Sequence, residues 1–209
     1  MTGAGAPSQV LELGERAAPE PLAGELGVAV RAAAVGLPDV FLCRGSYEFK
    51  PPRPFTPGQE VAGIVSDARH APGFEPGQRV MGVTTFYRGN GGFAEHATLV
   101  ADTVWPIPEA MSDVEAAGFP IPFRTAWLGL VTRGGLAPGE TVLVHGASGG
   151  AGYAAVQLGK ALGAVATTPT TVRFRATSSA VGAFAQAPLA KPMASNRQQV
   201  HRQSRERGR

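Results

Sequence analysis

The sequence predicts a β domain joined to the start of an α/β domain. A small barrel or sandwich of short strands comes first, then a strand, glycine turn and helix suited to a dinucleotide, then a basic tail without fixed structure. Three observations support this. Short apolar runs separated by Gly- and Pro-containing turns recur up to about residue 100. Residues 142–144, an apolar run of the length of a buried parallel strand, precede a cluster of four glycines, Gly146, Gly149, Gly150 and Gly152. Beyond Ala164 both the periodicity and the charge balance change: residues 1–164 hold 11 Lys/Arg against 15 Asp/Glu, whereas residues 165–209 hold eight against Glu206 alone.

Along the chain, residues 10–13 can begin a strand, and residues 26–34 alternate as a second, with Val28 and Val30 on one face. Residues 38–42 predict a short helix opened by Pro38 and stopped before Gly45. Residues 47–55 are a proline-punctuated loop. Pro57-Gly58 turns the chain into a strand at 60–65, where Gly63 implies a bulge or close packing. Further strands are expected at 78–83 and 93–100, with Trp105 and Pro106 ending the β domain. Ser112 and Glu115 form a capping box. An apolar helix is expected over 123–131, then the strand at 142.

The glycine turn carries the chemistry. Glycine permits a tight turn and lets a ligand approach the backbone closely. After it, Ala151, Ala154, Ala155, Leu158 and Leu162 recur at helical spacing, and Gly163 suits a C-terminal stop. The unpaired N–H groups of that helix's first turn then face where a pyrophosphate would sit. The spacing Ala147-x-Gly149-x-x-Gly152 is a dinucleotide fingerprint with alanine at its first position. Composition narrows the setting: Cys43 is the single cysteine, so no internal disulfide forms. Neither a signal peptide nor a run long enough to span a membrane is evident, and the protein reads as soluble and cytoplasmic. The basic residues of the tail are spread out, with only Phe174 and Phe184 between them, which suits a solvated, disordered segment rather than a nucleic-acid surface.

Several motifs occur together in one order: Pro38-Asp39-Val40, Phe49-Lys50-Pro51-Pro52, Pro57-Gly58-x-Glu60-Val61-Ala62-Gly63-x-Val65, Gly91-Gly92-Phe93-Ala94-Glu95, Thr125-Ala126, Pro138-Gly139-Glu140-Thr141-Val142-Leu143-Val144 and the glycine turn. Over residues 10–164 the chain therefore resembles the zinc-free quinone oxidoreductase branch of the medium-chain dehydrogenase/reductase superfamily. The resemblance implies a GroES-like β-barrel domain over 1–122 and the start of a Rossmann domain over 123–164, with an aberrant tail over 165–209. It also implies hydride transfer from NADPH to a quinone or activated alkene, so the expected partner is a small quinone or enone. Past Ala164 the family pattern stops, leaving the Rossmann unit incomplete, so the alternative to a reductase (of quinones, or of enoyl groups) is a catalytically incompetent remnant that acts at most as a binding or interaction module. A frameshift, a fused reading frame and a genuine short variant would all produce such a break.

The resemblance assigns cofactor contacts to Thr125, which borders the nicotinamide in the family, and to Gly146, Ala147, Ser148, Gly149, Gly150, Ala151 and Gly152. Tyr47 lies where relatives carry a loop tyrosine near the nicotinamide, so it is the candidate catalytic residue. The alternative is a tyrosine packing a proline-rich loop. Asp39 matches a family position and also suits an ordinary helix first turn; His145 reads as a strand-end residue. Zinc is not expected. The positions of the catalytic Cys and His of the zinc enzymes hold Gly36 and Gln59, neither a useful ligand, and Cys43 reads as a small buried hydrophobe. No Asp or Glu occurs from residue 141 to 205, which removes the usual clamp on an NAD ribose and favours NADP, with Arg173 and Arg175 able in principle to meet its 2′-phosphate. A single parallel strand would expose its ladder groups, which points to pairing between copies as a homo-oligomer. Limited proteolysis should trim residues 168–209 first and leave the β domain; a tail that survives as long as the barrel contradicts this.

Overall fold

In the computed structural model, Met1 and residues 3–168 are described. Four antiparallel strands, β1 (Glu25–Ala33), β2 (Glu60–Asp67), β3 (Arg79–Thr84) and β4 (His96–Pro106), close into a barrel when β4 pairs back onto β1. The two-residue period of the strands sends Leu26, Val28, Val61, Val65, Val80 and Leu99 inward, where they form the barrel core. Gly63 faces Val30 across the β1–β2 ladder, and a Cβ there would run into the Ala29 carbonyl and come within 2.6 Å of Val28 Cγ1. The close packing expected at Gly63 is thus a tight corner of the barrel. Register shifts between Val30 and Ala32 and between Gly82 and Thr84 supply the bend that closure requires.

Two expected boundaries move. Residues 93–95 do not join β4, because this stretch folds back on the loop before β2: the N–H groups of Gly91, Gly92 and Phe93 donate to the carbonyls of Thr56, Gly58 and Pro57 at 2.8–3.0 Å. At the other end the strand runs past residue 100 to Pro106, pairing Trp105 and Pro106 with Met81 and Val80, so the barrel ends at Pro106 as expected. The strand expected at 10–13 is absent. Pro7–Val10 is a single helical turn, α1, and residues 11–22 carry no regular structure. A closed barrel offers no free edge for a further strand to join.

Helix α2 (Leu37–Arg44) ends at Gly45 in the left-handed region, φ 70°. Helix α3 (Asp113–Ala117) opens on the capping box: the Glu115 N–H donates to Ser112 Oγ, and the Ser112 N–H to the Glu115 carboxylate. It covers the outer face of β2 and β3 through Ala62, Met81, Met111, Ala116, Ala117 and Phe119. Helix α4 (Pro120–Trp127) starts three residues earlier than expected because Pro120 and Pro122 fit its first turn, and a π-helical stretch continues it to Arg133.

The second unit contains β5 (Thr141–Leu143), α5 (Gly150–Ala161) and β6 (Val165–Thr167). Strands β5 and β6 pair in parallel, Val142 opposite Ala166, and both of these side chains lie against Gly159 of α5. This corrects the expectation that only one strand is present and that structure is lost from residue 165. Three residues are too few to show a period. The rest of the expected tail, including Arg173 and Arg175, lies outside the described residues. Among those described, no helix is long and apolar enough to cross a membrane.

Candidate cofactor and acceptor site

The site grows from a buried polar layer at the end of the barrel. Pro38 sets the first turn of α2 and places Asp39 beneath the loop before β2. Asp39 is 4% exposed; its carboxylate accepts the Gly36 N–H at 2.8 Å and the Gly58 N–H at 3.1 Å. Burial pushes its carboxyl up, and the backbone N–H groups of Gly36, Gly58 and Gln59 pull it part of the way back. Glu60, the first residue of β2, is 7% exposed, and its Oε2 accepts the Ile121 N–H at 2.7 Å in the first turn of α4. Burial raises this carboxyl from the usual 4.5 to about 7; the Ile121 N–H opposes the shift and the Asp39 charge adds to it. Gln59 precedes Glu60 in the chain and donates its backbone N–H to Asp39, and its carbonyl accepts the Thr84 N–H at 2.9 Å. Its Nε2 is the one buried side-chain nitrogen or oxygen without a hydrogen-bond partner among the described residues.

Helix α4 carries this layer to the glycine turn. Pro122, next to the tethered Ile121, lies 3.8 Å from where a Gly150 Cβ would stand, and Ala126 packs with Ala154 and Leu158 of α5. Gly146 takes φ 67°, a conformation that favours glycine, and its carbonyl accepts the Gly149 N–H at 3.0 Å. Gly152 is required for a different reason: a Cβ there would stand 2.8 Å from Ala147 Cα, so the helix could not seat on the turn. Gly149 is the N-cap and brings no side chain to the end of α5. The first-turn donors, on Gly150, Ala151 and Gly152, therefore face outward without a side-chain cap, as an anion site requires.

The structure brings most, not all, of the expected site residues together. Ser148, Gly149, Gly150 and Ala151 are exposed at the head of α5. Ala147 is buried against Val144 and Val156, so only its backbone is available to a ligand. Thr125 is exposed one turn beyond Ile121, and its hydroxyl donates to the Ile121 carbonyl at 2.8 Å. Tyr47 is half-buried among aromatic rings, with centroids 6.2 Å from Phe49 and 6.3 Å from Phe86. Tyr47 and Phe86 pack with Leu42, one turn along α2 from Asp39. Asp39 is a structural anchor for the loop, and His145 is exposed at the strand end. The roles of Gln59 and Glu60 are not evident from residue type. The available signal is a Glu opening an otherwise apolar strand, followed by Val61, Ala62 and Ile64.

Residues 22–109 match the alcohol dehydrogenase GroES-like domain. A quinone oxidoreductase of Sus scrofa is 38% identical over 148 residues, 70% of this chain and 44% of that protein. Over these residues the chain is similar to the quinone oxidoreductases of the medium-chain dehydrogenase/reductase superfamily. Its fold is similar to that of the quinone oxidoreductase of Thermus thermophilus, solved also in complex with NADPH, with a TM-score of 0.62 and 35% identity over 75% of this chain and 48% of that one. The CurK enoyl reductase is similar at TM-score 0.61 and 29% identity, again over 75% and 48%. The chain thus spans less than half the length of these relatives.

Three outcomes follow from this geometry. Glu60 has a folded-state pKa above its unfolded value, so the folded state holds the proton more tightly. The stability contributed by this group is full below pH 4.5 and declines as pH rises toward 7. Glu60→Gln should flatten that decline, gaining on the order of 2 kcal/mol relative to the native chain between pH 5 and pH 7.5, as read by urea midpoints. Gly152→Ala should lower the thermal midpoint by several degrees through the clash at Ala147. Gly149→Ala, whose backbone is extended and whose Cβ would lie 3.5 Å from the Gly146 carbonyl, should leave the midpoint nearly unchanged.

Proposed function

We propose that this chain carries the acceptor-binding barrel and the pyrophosphate turn of a zinc-independent, NADPH-dependent reductase of quinones or activated alkenes. The observation behind the reading is the uncapped N-terminus of α5 behind a turn that closes only with glycine at 152. NADPH, when bound, supplies the hydride. The backbone N–H groups of residues 149–152 would hold its pyrophosphate, and Thr125, on a helix fixed by Glu60, would border the nicotinamide. Tyr47 would offer a ring face or a hydroxyl at the edge of the acceptor site, supported by Phe49 and Phe86. The enoyl reductase likeness supports the alkene branch of the proposal.

Donor chemistry supports work without zinc. Gly36 has no side chain and Gln59 offers a neutral amide. The Cys43 thiol is buried and pushed up, first by that burial and then by the Asp39 charge, which disfavours the thiolate a metal would need. No group of three or more His, Cys, Asp or Glu side chains converges among the described residues. The absence of acidic residues from 141 to 205 supports NADPH over NADH.

The sheet bears on affinity. Leu143 and Val165, on the face away from α5, are 55% and 59% exposed. In a complete dinucleotide fold the adenosine half spreads across further strand ends. Pairing of two copies over this face would cover it and is part of the proposal. By calorimetry we expect NADPH to bind weakly, with a Kd on the order of 100 µM, more tightly than NADH, and not at all to Gly149→Val. No binding at millimolar NADPH overturns the cofactor reading. Low-micromolar binding would mean that the site is complete in this chain.

A further inference from the structure

We infer that the Gln59 side-chain amide is a binding group for the acceptor molecule, donating a hydrogen bond to an uncharged carbonyl oxygen. The inference rests on the reading of the chain as a reductase of carbonyl-bearing acceptors and names the residue that holds them. The other donors of the polar layer already have their hydrogen bonds committed. The N–H groups of Gly36 and Gly58 go to Asp39, and that of Ile121 goes to Glu60. The Thr84 hydroxyl goes to the Gly58 carbonyl at 2.7 Å, and the Thr84 N–H to the Gln59 carbonyl. Gln59 Nε2 is left over, in a residue 4% exposed.

An unmade buried hydrogen bond is costly, and folded proteins leave few of them. Where one persists in a layer otherwise fully satisfied, a ligand that completes it is the simplest account. The neighbours select the kind of ligand. The Gln59 backbone N–H is held by Asp39 and Glu60 follows Gln59 in the chain, so a carboxylate or phosphate bound there would meet two acidic groups. Burial pushes both carboxyls toward their neutral forms, which suits a neutral oxygen acceptor. The two methylenes of the Gln59 stem let the amide turn to meet an entering oxygen. An N–H donor in a site of low polarity also favours negative charge developing on that oxygen, which is the direction in which a carbonyl acceptor is activated.

The test uses the full chain labelled with ¹⁵N-glutamine and duroquinone (tetramethyl-1,4-benzoquinone), which has no ring hydrogen and so does not add to Cys43. The Gln59→Met variant identifies the Gln59 amide signals by their loss. Expected results are a saturable shift of those signals with duroquinone and no shift with benzoate. Duroquinone should bind Gln59→Met about tenfold more weakly, while NADPH binding stays unchanged. The inference is overturned if the Gln59 signals stay still at saturating or solubility-limited duroquinone, if benzoate moves them equally, or if Gln59→Met binds duroquinone like the native chain. In that last case a raised thermal midpoint would mark the amide as a structural cost only. The signal shift is read on the native chain, and if Gln59→Met folds poorly, Gln59→Asn identifies the signals instead, since its side-chain amide carries no label. NADPH titration separates the two readings. Absent NADPH binding with a duroquinone shift at Gln59 overturns the cofactor assignment alone, and NADPH binding without that shift overturns this inference alone.

Discussion

The rest of the site depends on the hydrogen bond from the Ile121 N–H to the buried Glu60 carboxylate. It joins the first residue of β2 to the first turn of α4, and α4 in turn places Pro122 beside Gly150 and Ala126 against α5. A buried carboxylate is costly unless its lone pairs are used, and this one is compensated at a helix N-terminus, where unpaired N–H groups and the helix dipole favour an acceptor. Desolvation still outweighs that compensation, which is why the carboxyl titrates near neutrality rather than near 4.5. The tether therefore orients α4 at an electrostatic cost to stability, a common pattern where a fold positions a functional group.

The barrel explains why Glu60 can be held at that point. Closure of four strands removes free edges, and the corner at Gly63 brings β1 and β2 closer than any side chain would permit. With the ladder closed, the register Glu60↔Val83 and Val61↔Gly82 is set, and the start of β2 emerges beside the α2 turn held by Asp39. Two buried carboxyls, Asp39 and Glu60, thus sit at one end of a rigid cylinder. The glycine turn is tied to that end through α4, so the barrel and this turn are linked through packed elements.

The second unit rests on less. Its two parallel strands have α5 on one face, through Val142 and Ala166, and leave Leu143 and Val165 open on the other. Parallel sheets are normally covered on both faces. The turn keeps its shape because its constraints are local: a left-handed Gly146, a Gly152 without Cβ, and Ala147 wedged with Val144 and Val156. The turn therefore keeps its geometry although its sheet has only two strands among the described residues.

The sequence by itself determined the elements whose signals are local. Alternation at 26–34, the Pro57-Gly58 turn into the strand at 60–65, the proline-led α2, the Ser112–Glu115 box and the glycine spacing before α5 each act within a few residues, so each was legible in order. Only the tertiary structure decided what depends on partners distant in the chain. Strand β6 has too few residues to show a period and exists because β5 and α5 hold it. Residues 10–13 form no strand because the closed barrel gives them no edge. Glu60 and Gln59 read from sequence as parts of a motif; their burial, the tether to Ile121 and the unmatched amide arise only when residues some sixty positions apart are brought together. Hydrogen-bond satisfaction is a property of the assembled interior, and no local pattern of residue types encodes it.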